Sequence, residues 1–191
     1  MGAVSALTFV AAGLIVAVIV AAWFYSRRGT REATATPAPE PYVALRHQAL
    51  HGSRVQLGLP KPHEATKPWG VLMEMMYDEA SVTVFALSDG NASIYLSTGG
   101  GFIGGIGQEP VRRAAIAMVR IAGTLASQMS PTDTFPLPDR GHTIFYLRSD
   151  AGVLTGTATE RELAQRRHAL SPLFFAGQDV ITQYRLVSEK K

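Results

Sequence analysis

VLMEMMYDEASVTVFALSDGNASIYLST, residues 71–98, places apolar, β-branched and aromatic residues in short runs separated by turn chemistry. VLMEMMY (71–77) and SVTVFAL (81–87) read as strands. Between the second run and ASIYLST (92–98) stands Ser88-Asp89-Gly90-Asn91, whose two central residues both tolerate positive φ, so a hairpin turn is expected there. Three antiparallel strands therefore form the start of a sheet.

The flanking sequence supplies helices. Tyr42 to Gly52 reads as a short helix with Val43, Leu45, Ala49 and Leu50 as its apolar residues. Pro110 suits the first turn of a helix running to about Met129, with Val111, Ala115, Met118, Ala122, Leu125 and Met129 on one buried stripe. HTIFYLR (142–148) and VLTGTAT (153–159) form a second hairpin around Ser149 to Gly152. Thr159 and Glu162 make a capping box that opens a helix over 160–168. Ser171 followed by Pro172 reads as an N-cap and first turn, opening one broken helix or two short ones. The order α-βββ-α-ββ-α(α) predicts an α+β domain with an antiparallel sheet of about five strands and flanking helices. On element order alone this outline resembles the profilin-like and roadblock-like modules. It departs from them in strand distribution and transfers no functional residue.

Upstream, Val4 to Tyr25 is an uncharged apolar run, long enough to cross a hydrocarbon core of about 30 Å. A cleaved signal peptide would put basic residues before such a run. Here Arg27, Arg28 and Arg31 follow it, and Trp23 and Tyr25 stand as interfacial aromatics. The expectation is a single-pass membrane protein with its N-terminus outside and its soluble domain cytoplasmic. Gly13, Ala17 and Ala21 recur at the small-xxx-small spacing that allows helix association. The chain then divides into an anchor (1–25), a Pro/Ala/Thr-rich tether (26–41) and the domain (42–191).

Beyond residue 40 the chain carries 15 basic and 13 acidic residues. Such balance, without a clustered basic face or zinc-ligand pattern, argues against nucleic-acid binding. No cofactor is expected either, because no catalytic or cofactor motif is complete.

STGGGFIGGIGQEP (97–110) is the feature open to a functional reading. Gly99, Gly101 and Gly104 stand in GxGxxG register between a strand and a helix. The strand belongs to a hairpin rather than a βαβ unit, the acidic ribose partner is missing, and Glu109 stands at the helix entrance. A helix N-terminus can still hold an anion. One reading is therefore a phosphate or small-ligand site, in a sensor or an enzyme, built from Ser97, Thr98, Gly99, Gly100, Gly101, Gly104, Gly105, Gly107, Arg112 and Arg113. In the other, glycine supplies unusual backbone geometry, and Phe102, Ile103 and Ile106 dock a partner.

Other candidates have simpler explanations. His47 and His51 share the i, i+4 spacing of metal ligands but lack an intervening Glu, so no metal site is expected. Glu160 and Glu162 suit a first helical turn. Met73, Met75 and Met76 suit adaptable packing. The function expected is a membrane-anchored scaffolding or regulatory module that binds a protein partner, with a homodimer as one form; the ligand-binding sensor or enzyme is the alternative.

Overall fold

The structure, a computed structural model, describes residues 40–77 and 80–189. Its elements are α1 (Glu40–His51), β1 (Gly70–Tyr77), β2 (Ala80–Leu87), β3 (Ala92–Leu96), β4 (Gly101–Ile103), α2 (Glu109–Thr124), β5 (Ser130–Pro131), β6 (His142–Ser149), β7 (Gly152–Thr159), α3 (Glu160–Ala164) and α4 (Ser171–Ser188). The strands form one antiparallel sheet in the order β4-β3-β2-β1-β6-β7-β5.

The period of two in β1 sorts its side chains between two covered faces. Val71, Met73 and Met75 join Val84, Ile94 and Phe145 under α2 and α4. Leu72 joins Phe85, Tyr95 and Tyr146 on the opposite face, under Tyr42, Ala49 and Leu50 of α1. The expected stripe of α2 is buried at Val111, Ala115, Met118 and Ala122. Gly177 lets α4 approach the sheet, since a Cβ there would overlap Met73.

Several expectations need correction. The sheet has seven strands rather than five, because Gly101–Ile103 and Ser130–Pro131 also pair. Neither is long enough to show alternation. The loop after β2 has positive φ at Gly90 but not at Asp89, and its closing bonds run from Gly90 N–H to the Leu87 carbonyl and from Leu87 N–H to the Asn91 carbonyl. α4 is a single helix, and Leu170 rather than Ser171 is its N-cap. At the start of α1 it is Tyr42 that turns inward, with Ala49 and Leu50, while Val43 points to solvent.

The membrane expectation is corrected too. Among the described residues, no helix is long and apolar enough to cross a membrane. The expected span, with Gly13, Ala17, Ala21, Trp23, Tyr25, Arg27 and Arg28, lies outside the described residues. The single-pass anchor, the membrane as partner and the cytoplasmic placement derived from them are therefore not carried forward. The α+β character is consistent with the sheet and its helices.

Candidate functional site

The glycine-rich stretch folds as a tight turn, an edge strand and one 3₁₀ turn. Ser97 ends β3 by gripping β2: its N–H donates to the Ser81 carbonyl at 2.9 Å, and its Oγ accepts from Ser81 N–H at 2.8 Å. Thr98 lies in the turn. Gly99 N–H donates to the Leu96 carbonyl, and Leu96 N–H donates to that of Gly100. Gly99, Gly100, Gly101 and Gly104 all have positive φ, the region that glycine enters without steric cost. At Gly101 a Cβ would overlap the Ile94 carbonyl, and at buried Gly105 it would overlap Tyr184 Oη and Val111. Two glycines are thus fixed by close packing. Gly107, in the 3₁₀ turn, has open space around it.

β4 sends its side chains to both faces. Phe102 turns toward the helices and stacks on Tyr184 of α4. Ile103, 68% exposed, lies on the α1 side, and Ile106 is 48% exposed in the following 3₁₀ turn. Beside Ile103 a pocket of about 130 Å³ opens between α1 and the sheet. Leu45 and Leu57 wall it, Phe85, Ser93 and Tyr95 lie beneath, and Gln48 supplies a polar edge. Its volume is of the order that accommodates one benzene-sized group.

Arg112 and Arg113 are not gathered over the glycines. Arg112 Nε donates to Glu109 Oε2 at 2.7 Å, and Arg113 stands 3.8 Å from Glu109 Oε1. Hydrogen bonds from Arg112 hold the Glu109 carboxyl below its ordinary range. Arg112 is therefore paired locally by the acid at the same helix entrance, with Arg113 at the margin of the same carboxylate.

A buried polar clamp fixes α1, one wall of the pocket. Glu74 is fully buried on β1 and opposes Thr83 across the sheet. Arg46 Nε and Nη2 donate to its two carboxylate oxygens at 2.8 and 2.7 Å, and Thr83 Oγ1 donates to Oε1 at 2.8 Å. Arg46 also reaches the Phe135 carbonyl, and Tyr146 Oη donates to that of Pro136 at 2.7 Å. Burial, then the Glu74 charge, pushes the Tyr146 hydroxyl up to about 12. Burial opposes the Arg46 charge, but the Glu74 bonds prevail and hold its pKa above the ordinary value.

Arg148 closes the other end of α1. Its Nη1 donates to the Ala49 carbonyl at 2.6 Å, and its guanidinium lies 4.4 Å from the Trp69 ring centroid. Burial lowers its pKa to about 10, so it remains charged at neutral pH. This cation offsets the carbonyl end of the helix.

None of these clamp residues is singled out by a sequence motif. Their signal is Glu74 itself, a charge inside a strand whose neighbours are apolar at both parities. His47 and His51 do meet, with ring centroids 4.4 Å apart, and His51 turns its edge to Phe135. No group of three or more metal-ligating side chains occurs among the described residues. No family model, curated protein or solved structure matches the chain.

Proposed function

We propose that this domain is a protein-interaction module that takes an extended, apolar segment of a partner along β4 and into the pocket beside it. The reading is carried by one observation: Ile103 is exposed on a terminal strand of the sheet and borders a mostly apolar pocket edged by Gln48, Asn91 and Ser93. Edge strands recognise extended chains through the backbone, while an adjacent pocket selects a side chain. The three-residue strand limits the backbone contribution, so the pocket and Ile103 supply most of the selectivity. The clamp of Arg46 on Glu74 supports the reading because it pre-forms one wall, reducing the ordering needed at binding. The ligand alternative gains no such support, since Arg112 is engaged by Glu109 and the Gly99 N–H by Leu96.

Selection of displayed random peptides on the full chain tests this. Enriched peptides should be apolar and extended, and Ile103→Lys should weaken them at least tenfold while leaving the melting temperature within a few degrees. A failure to enrich any sequence, or equal binding to Ile103→Lys, overturns the proposal. Concentration-dependent dimerisation abolished by the same substitution would instead identify a second copy as the occupant.

A further inference from the structure

Leu96 N–H donates to the Gly100 carbonyl at 3.2 Å, and the β3–β4 register continues with Tyr95 opposite Gly101, Ile94 opposite Phe102 and Ser93 opposite Ile103. Hydrogen-bonded and non-hydrogen-bonded pairs alternate along an antiparallel ladder. From the Leu96–Gly100 bond onward, that alternation directs the backbone groups of Phe102 to Ile94 and turns those of Gly101 and Ile103 away from β3. On that outer side no strand among the described residues pairs with β4. Gly101 and Ile103 are exposed, and neither takes part in a turn or loop bond among the described residues. Both therefore present an N–H and a carbonyl to the open edge.

The pocket face of this strand is uneven. Gly101 and Ile103 share it, being two residues apart. Ile103 stands beside Ser93, between the open edge and the floor formed by Ser93 and Phe85. Gly101 stands beside Tyr95, another lining residue, and has no side chain. The edge thus has one barrier and one gap. The gap is built into the backbone, because Gly101 has a φ of +141° and a Cβ there would overlap the Ile94 carbonyl.

We propose, on the basis of the partner-segment reading above, that the ligand is an antiparallel strand with an aromatic residue opposite Gly101 and an aliphatic residue opposite Ile103. With the aromatic residue at position p, the residue opposite Ile103 is p−2. Positions p and p−2 each exchange both backbone bonds with β4, so every outward group is used within a short segment. Position p−1 turns its N–H away from β4. Neighbouring strands lie about 4.8 Å apart, so the side chain at p must lean across a full strand spacing to enter the pocket. An aromatic ring reaches that far and covers the glycine it crosses, whereas alanine and valine are too short. The pocket of about 130 Å³ holds one such ring. At p−2 the Ile103 side chain blocks the way, and an aliphatic group packs on Ile103 itself.

The tightest peptide obtained by display on the full chain tests the register, with p taken as its position most sensitive to alanine. N-methylation at p or p−2 should weaken binding by about tenfold or more, and at p−1 by less than about threefold. Replacing the residue at p by valine should also cost about tenfold. Bound peptide should slow amide exchange at Gly101 and Ile103 and leave Phe102, already bonded to Ile94, unchanged. If no peptide binds, the partner-segment reading falls and the register falls with it. If peptides bind but p is not aromatic, N-methylation acts most strongly at p−1, or Gly101 and Ile103 exchange as before, the register is overturned while the reading stands.

Discussion

Phe102 stacks on Tyr184 with ring centroids 5.1 Å apart and planes 24° from parallel, while Tyr184 Oη donates to the Ala92 carbonyl at 2.5 Å. One α4 side chain thus ties down both β4 and the start of β3. Phe102→Ala should reduce unfolding free energy by about 2 kcal/mol, less than a fully buried phenylalanine because the ring is only partly covered. Tyr184→Phe should cost about 1–2 kcal/mol by leaving a buried carbonyl unpaired. Urea denaturation measures both.

Ile103 and Ile106 should behave oppositely to Phe102. Substituting either with Ser removes exposed surface from the edge and should alter stability by no more than about 0.5 kcal/mol. Peptide binding should nevertheless fall. Chemical denaturation and binding isotherms on the same samples separate packing from recognition.

Breaking the Arg46–Glu74 pair should be far more costly than breaking a surface pair. Arg46→Met leaves the Glu74 carboxylate buried, with Thr83 as its remaining side-chain donor, and should cost about 3–5 kcal/mol. The double substitution Arg46→Met with Glu74→Leu should recover much of that loss. A double-mutant cycle by urea unfolding measures the coupling.

The glycines should divide by position. Gly101→Ala forces positive φ on an alanine and drives its Cβ into the Ile94 carbonyl, and Gly105→Ala drives one into Tyr184 and Val111. Each should destabilise by at least about 2 kcal/mol. Gly107→Ala meets open space and should be neutral to slightly stabilising, within about 1 kcal/mol. Melting curves of the three variants test the distinction.

The alternating strands were legible because β1, β2, β3, β6 and β7 each have enough residues to show a pattern. β4 was hidden because Gly101 contributes no side chain and only Phe102 and Ile103 remain. β5 was hidden because two residues, one a proline, carry no periodicity. The capping box was local chemistry and so could be read directly: Thr159 Oγ1 accepts from Glu162 N–H at 3.2 Å and donates to its carboxylate at 2.7 Å. Ser171 misled because Pro172 is compatible with a helix start either at or before it; the hydroxyl is buried without a partner.

For the candidate surface, Ile103 and Ile106 were visible as apolar residues in a glycine loop. The pocket was not, because Leu45, Leu57, Phe85 and Tyr95 come from separate elements. Glu74 was the overlooked signal. Apolar residues on both faces of its strand required both faces to be covered, and a carboxylate there required a cationic partner. Which cation supplied it depends on a contact spanning 28 residues, from Arg46 to Glu74.

The two edges of the sheet are chemically unequal. Gly101–Ile103 forms one, whereas at the other Ser130–Pro131 covers only Leu154 and Thr155 of β7, and its proline supplies no N–H donor. Addition of β4 onto Ser130–Pro131 itself is therefore disfavoured. Association through β4 alone would close after one pairing, giving a finite complex in place of a fibre.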